Sequence, residues 1–289
     1  MSASRWSPRR HHPEGITPLE VWNLPVFGRE LWELLGSPWV EDDRRAGVPG
    51  AKLAARVMLP LAEALSLLVK QHAPDAAYLS GGLAELDGFP AALREATASL
   101  RRPVHIALSP RFAPVRAGLR MLEAKGARSP LCVDVGQTSI KLARPGATRV
   151  VERNLTTLPP LFIGQPRPAD GHHIRDTVAF ISGALRTFLA EDSREPPDAL
   201  CLALPCPLDE ALMPGGCTYG FEGTASLVLD ILAHAGLPDT GGKVLVLNDA
   251  ELAAESARRA PQVKGRRVLC LSLGFGPGGA LLERDTRAP

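Results

Sequence analysis

A chain of 289 residues has room for about two domains at roughly 150 residues each. With 45% hydrophobic and 22% charged residues, it has the make-up of a globular protein that buries its core without staples. Its 33 Lys and Arg against 31 Asp and Glu leave a net charge of +2, which argues against a whole-surface nucleic-acid binder and equally against an acidic disordered chain.

Residues 1–20 are polar and proline-containing, which predicts a loose N-terminal arm. Leu24–Leu35 predicts a short helix, and Gly36–Gly50 a loop with a charged cluster from Glu41 to Arg45. Ala51–Gln71 carries apolar residues at helical spacing, and Pro60 inside it predicts a kink or two abutting helices. Alternation of strands and helices then begins. Ala76–Leu79 predicts a strand running into Ser80-Gly81-Gly82, Pro90–Leu100 a helix, Val104–Leu108 a strand, and Pro114–Lys125 a helix closed by Gly126. Gly126–Pro130 has the composition of a linker.

Leu131–Val135 is an apolar strand ending in Gly136-Gln137-Thr138. Ser139–Arg144 and Thr148–Arg153 predict a hairpin and third strand around Pro145-Gly146. Leu158–Gly171 is a proline-rich loop, Ile174–Ala190 a helix, and Ala199–Leu204 a buried strand ending in Pro205-Cys206-Pro207. Gly223–Ala235 predicts a helix and Val244–Leu247 a strand, after which Asn248-Asp249 opens a helix to Arg259. Val268–Leu273 is the last long strand, followed by a glycine-rich turn and Ala280–Glu283. Strands alternating with helices imply an α/β protein with mixed sheets.

No run approaches the roughly 20 apolar residues of a membrane span. Basic Met1–Arg10 is followed by His11, His12, Pro13 and Glu14 instead of an apolar segment, so a cytoplasmic protein is expected. Cys132, Cys201, Cys206, Cys217 and Cys270 form no C-x-x-C pair, and three of them lie in strand-like runs. Buried free thiols follow, not disulfides or a zinc site.

Four turns after apolar strands carry the chemistry. In Asp134-Val135-Gly136-Gln137-Thr138, with Lys141 beyond, an acid at a strand end can orient hydrated Mg²⁺, while the glycine and threonine admit phosphate. An ordinary hairpin turn would contain the same residues. Gly274, Gly276, Gly278 and Gly279 place four glycines in six residues, a phosphate cradle or a glycine hairpin. Asn248-Asp249 is either a helix N-cap or a general base with Asn248 holding a neighbouring substrate oxygen. Gly81 and Gly82, in the fourth turn, can pass under a base or ribose.

Together, and in order from Leu131 to Leu282, these turns resemble the superfamily of sugar kinases, actin and heat-shock chaperones. More narrowly they resemble the ROK (repressor, open reading frame, kinase) family of bacterial sugar kinases. Asp134, Gly136 and Thr138 match its D-x-G-x-T motif, Asn248-Asp249-Ala250 its N-D-A, and Leu273–Gly279 its L-G-x-G-x-G-G. Pro205-Cys206-Pro207 and Asp209 echo its Pro-Gly-Pro-like turn. Gln137 replaces the family's second glycine, and Phe275 its Thr or Ser. Ala76–Gly82, Val104–Leu108 and Arg116–Leu119 look like the family's C-terminal adenosine segment, yet they precede the first phosphate motif. The chain therefore resembles a circular permutant, with Gly126–Pro130 joining the old ends.

The resemblance implies a two-lobed, actin-like (ribonuclease H-like) ATPase fold, circularly permuted. Lobe one would span 131–262, and lobe two 263–289 plus 21–126, with Mg·ATP between them. The implied activity is ATP-dependent phosphorylation of a sugar hydroxyl, with Asp249 as base and Asp134 holding Mg²⁺ through water. Gly136, Gln137, Thr138, Lys141 and the glycines at 274, 276, 278 and 279 would serve the phosphates. Gly81, Gly82 and Gly118 would line the adenosine pocket. The family's zinc cysteines have no counterpart, and His11 and His12 have the character of a solvated tail. The rival readings are a non-catalytic sugar or nucleotide sensor on the same fold, and a homodimer formed by exchanging halves. The net charge and the lack of a helix-turn-helix segment speak against nucleic acid as partner.

Overall fold

The computed structural model describes residues 6–36, 38–161, 167–168, 171–191, 195–238 and 241–284. In chain order the strands and helices are β1 Trp6–Arg10, β2 Ile16–Leu19, β3 Pro25–Val26, β4 Arg29–Glu30, α1 Leu31–Leu35, α2 Pro38–Arg45 and α3 Gly50–His72. There follow β5 Ala76–Ser80, α4 Phe89–Ala96, β6 Val104–Ile106, α5 Ala113–Ala124, β7 Pro130–Val135, β8 Ser139–Arg144 and β9 Ala147–Glu152. The last are α6 His172–Glu191, β10 Ala199–Leu204, α7 Leu227–His234, β11 Gly242–Asn248, α8 Asp249–Ala257, β12 Val268–Ser272 and β13 Gly278–Leu282. The protein is α/β, and no helix among the described residues is long and apolar enough to cross a membrane.

The chain divides into two compact units, one of residues 1–12 and 115–252, the other of 13–114 and 253–289. These limits depart from the expected 131–262 because α5 belongs to the first unit from Val115 and α8 passes to the second after Leu252. In the first unit the sheet order is β1-β11-β10-β7-β8-β9. Strands β1, β11, β10 and β7 run parallel, and β8 and β9 are antiparallel additions. Strands β7 and β10 are buried throughout and almost wholly apolar, as strands covered on both faces must be, and β11 buries Val244, Val246 and Leu247. Helices α6 and α7 contribute Ile181, Leu185, Phe188, Ile231 and Leu232 to that core.

In the second unit the order is β2-β13-β12-β5-β6. Here β12, β13 and β2 are successively antiparallel, and β5 and β6 run parallel to β12. Setting β1 aside, both sheets follow one plan: three antiparallel strands, then two parallel ones on the far side of the first. The second sheet follows this plan through β12 and β13, near the chain's end, and resumes at β2, near its start. One chain closes the whole sheet. The join between α5 and β7 is ordered. Gly126 (φ 91°) and Ala127 close α5, donating to Glu123 O at 2.9 Å and Leu122 O at 3.1 Å. The Asp198 carboxylate accepts from the N–H groups of Arg128 and Ser129 at 2.9 and 3.0 Å.

Three expectations are corrected. Residues 6–10 and 16–19 are edge strands, not a loose arm. Trp6 is buried, its indole donates to Pro238 O at 3.0 Å, and it fits opposite Gly242, where a Cβ would stand 2.5 Å from the ring. Composition hid this, because an edge strand tolerates Pro8 and exposes alternate residues. Second, the helix expected over 24–35 is the β3–β4 hairpin followed by the short α1, and the loop expected over 36–50 contains α2. Third, α3 is one helix of 23 residues running through Pro60. Val57, Leu61, Ala64, Leu65 and Leu68 bury its apolar stripe, and their packing outweighs the ~3 kcal/mol that an interior proline costs.

Candidate functional site

In the first unit, the carboxyl ends of β1, β11, β10 and β7 share one edge of the sheet, the usual location of ligand sites in parallel sheets. Asp134 lies in the last turn of β7 and is nearly buried, with Lys141 Nζ at 3.4 Å from Oδ2. Gly136 leaves room for that lysine, since a Cβ would stand 2.5 Å from Nζ and 3.1 Å from Ser139 O.

At the end of β11, Asn248 caps α8. Its Oδ1 accepts from the Ala250 N–H at 2.9 Å, and its own N–H donates to Glu251 Oε2 at 2.8 Å. This is a reciprocal capping box. Asn248 Nδ2 donates to Cys206 O at 2.8 Å, which fixes the amide against the turn leaving β10. Glu251 is buried and held by Arg10 from β1 through two bonds of 2.7 Å. The cap is therefore Asn248, and Asp249 is the first helical residue.

The Asp249 pKa is raised from 3.8 to about 7. The largest cause is desolvation, and the next is the negative charge of Asp134; Lys141 opposes both. The residue keeps some solvent contact, while the space around its carboxyl is densely filled by protein. A desolvated carboxyl facing the charge of a second carboxylate and of a lysine is suited to proton transfer and to relief by a divalent cation.

The Gly136-Gln137-Thr138 turn is held from one side. Tyr219 Oη donates to Gly136 O at 2.8 Å. Arg153, 2% exposed, donates through Nη1 to Gln137 O and Thr218 Oγ1, both at 3.0 Å. Its Nη2 donates to Pro159 O at 2.8 Å and Thr218 O at 3.0 Å, and its Nε to Leu158 O at 2.9 Å. The Tyr219 ring covers the guanidinium at 4.0 Å. Gln137 does not point its side chain outward. Its Oε1 accepts from the Thr218 N–H at 3.1 Å and from the Thr218 hydroxyl, and its Nε2 donates to Pro205 O at 3.4 Å. It ties two turns together, so any anion contact at position 137 falls to the backbone.

Gly118 sits in α5 within the first unit, and Gly81 and Gly82 belong to the second. A Cβ there would overlap Cys132 Sγ and approach Cys201 Sγ and Leu252 Cδ1 at 3.2 Å each. Helix packing accounts for this glycine. All five cysteines are free and buried, and desolvation pushes the Cys132 and Cys270 thiols up. His11 and His12 are not a free tail. His11 donates its N–H to Val246 O at 2.8 Å, and His12 Nε2 lies 2.7 Å from Glu210 Oε1.

In the second unit, β12 and β5 are neighbours, which brings the two remaining glycine turns together. Leu273 N–H donates to Ser80 O at 2.7 Å, and Leu83 N–H to Leu273 O at 3.1 Å. Gly81 has φ 97° and packs against the Leu273 backbone, so the fold itself requires glycine there. Gly82, Gly274 and Gly276 are different. Their φ values are not positive, and a Cβ would meet nothing within 4 Å. Nothing inside the unit demands these three glycines, whereas a ligand lying on the backbone would. Gly278 opens β13 opposite Ser272, and Gly279 makes room for Val21.

Sequence reasoning missed Arg10, Glu251, Arg153, Thr218 and Tyr219. The spacing Asn248-x-x-Glu251 was a legible capping box. The other four have no local signal. A scan against protein-family models finds no match for the chain, and no curated protein matches it in sequence.

Proposed function

We propose that the chain transfers a phosphoryl group from ATP to a sugar hydroxyl, on a circularly permuted, two-lobed ATPase fold of the actin and sugar-kinase kind. The observation that carries this reading is Asp249, whose carboxyl has a pKa raised to about 7, next to Asp134 and Lys141 at the carboxyl edge of a parallel sheet. A base with that pKa is matched to neutral pH. The shared plan of the two sheets supports the fold, and the internally unexplained glycines at 82, 274 and 276 support close approach of a nucleotide.

Asp249 takes the proton of the acceptor hydroxyl as its oxygen attacks the γ-phosphorus and the bond to the bridging oxygen of ADP breaks. The second amide hydrogen of Asn248 is directed to a substrate oxygen. The N–H groups of Gln137 and Thr138 hold phosphate oxygens. Among the described residues no three His, Cys, Asp or Glu side chains group to hold a metal directly. The residues present fit Mg²⁺ bound through water by Asp134 and completed by phosphate oxygens. Bound there, Mg²⁺ would neutralise phosphate charge.

ADP release is measured over a panel of hexoses and N-acetylhexosamines, with Asp249→Asn as the comparison. We expect one acceptor to stand out, kcat to fall by about 10²–10⁴-fold in the variant, and Mg·ATP affinity to stay within about twofold. Near-full turnover in the variant would remove Asp249 from its role. Sugar or nucleotide binding without turnover would favour a sensor on the same fold.

A further inference from the structure

We propose that Arg153 is a positioning residue for polyphosphate: with Tyr219 it turns the carbonyls of residues 136–138 inward and presents the N–H groups of Gln137 and Thr138, backed by a fixed positive charge, to the anion. This rests on the phosphotransferase reading and assigns a task to a residue outside its motifs.

Three successive carbonyls of the turn are anchored on one side. Gly136 O accepts from the Tyr219 hydroxyl at 2.8 Å, Gln137 O from Arg153 Nη1 at 3.0 Å, and Thr138 O from the Arg153 backbone N–H at 2.7 Å. The peptide bonds are trans. In a trans peptide the C=O and the following N–H point in opposite directions. The N–H groups of Gln137 and Thr138 therefore point away from Arg153, and no protein acceptor among the described residues takes either one. Successive N–H groups aimed one way form an anion nest.

The second half of the argument is charge. Arg153 is among the largest fully buried side chains, and its five N–H bonds go to neutral oxygens. Among the described residues no carboxylate pairs with it. A buried arginine is normally matched by an acid, because an unmatched charge is costly to desolvate. Here carbonyl dipoles and the Tyr219 face offset that cost without cancelling the field. The uncancelled charge lies directly behind the turn and acts through little solvent. Its effect grows with the charge of the ligand, which favours a polyphosphate over a single phosphate.

The test is calorimetric titration of the full chain with phosphate, pyrophosphate and tripolyphosphate, at one ionic strength with magnesium present. Wild type, Arg153→Met and Arg153→Lys are compared. We expect Arg153→Met to weaken tripolyphosphate about tenfold, pyrophosphate less and phosphate least. Arg153→Lys, which keeps the charge and loses the fork, should recover most of that gradient. Equal loss for all three anions would mean only a loosened turn, and a lysine variant no better than methionine would mean the same; either overturns the proposal. If Arg153→Met does not fold, a folded lysine variant lacking the gradient overturns it alone. A wild-type chain that binds none of the anions removes both the role of Arg153 and the phosphotransferase reading. Tripolyphosphate binding and the gradient, with no turnover on any acceptor, removes the reading and leaves the role of Arg153 standing.

Discussion

Replacing Asp249 by asparagine should stabilise the protein at the same neutral to alkaline pH at which the proposed base role calls for its charge. In the unfolded chain this carboxyl ionises near 3.8, and in the folded protein only near 7. The pKa is raised on folding, so the folded state holds its proton across that window while the unfolded state gives it up. Stability therefore falls as pH rises through the window, and the loss is complete above the folded value. The rise from 3.8 to about 7 corresponds to at most about 4 kcal/mol. Partial solvent contact and the shared charge of Asp134 and Lys141 reduce this to about 1–3 kcal/mol. At about 2–4 °C per kcal/mol for a chain somewhat shorter than this one, the asparagine variant should melt several degrees above wild type at about pH 8. The two should converge towards about pH 4, where the wild-type carboxyl is protonated in the folded state. Thermal melts followed by circular dichroism at stepped pH measure this directly. Equal melting at about pH 8, or a gap that stays constant down to about pH 4, would refute the desolvated, Asp134-opposed environment on which the general-base role depends.

The glycines separate into two groups under substitution. Gly118→Ala pushes a Cβ into Cys132 Sγ and should cost about 1–3 kcal/mol, read as a lower urea midpoint. Gly276→Ala meets nothing and should change stability by less than about 0.5 kcal/mol, while weakening Mg·ATP binding in the same titration. Trp6→Ala removes the buried anchor of β1 and should cost about 3–5 kcal/mol, an effect that a loose arm could not produce.

Much of the candidate site was legible because its parts are local. Asp134-x-Gly136-x-Thr138 and Asn248-Asp249-Ala250 each combine an apolar strand, a turn and a polar residue within a few positions. The strands β5, β7, β10, β11 and β12 announced themselves by apolar runs of strand length. Elements near the chain's start were harder. Strand β1 is polar in composition because its outer edge faces solvent, and only the tertiary pairing with β11 makes Trp6 and the Arg10 guanidinium interior groups. Helix α2 is short and highly charged, so its apolar face is too thin to show a period.

What the sequence determined by itself was the alternation of strands and helices and the order of the glycine and acid turns. These are set by residues adjacent in the chain, where periodicity and turn chemistry act. Only the tertiary structure decided the rest. It gave Asn248 the cap and left Asp249 its carboxyl, turned Gln137 inward, explained Gly118 by packing, and set Arg153 behind the 136–138 turn. Each of these depends on partners tens of residues away. Burial and the charge of such partners fix a side chain's direction and pKa, and the local pattern of the chain contains neither.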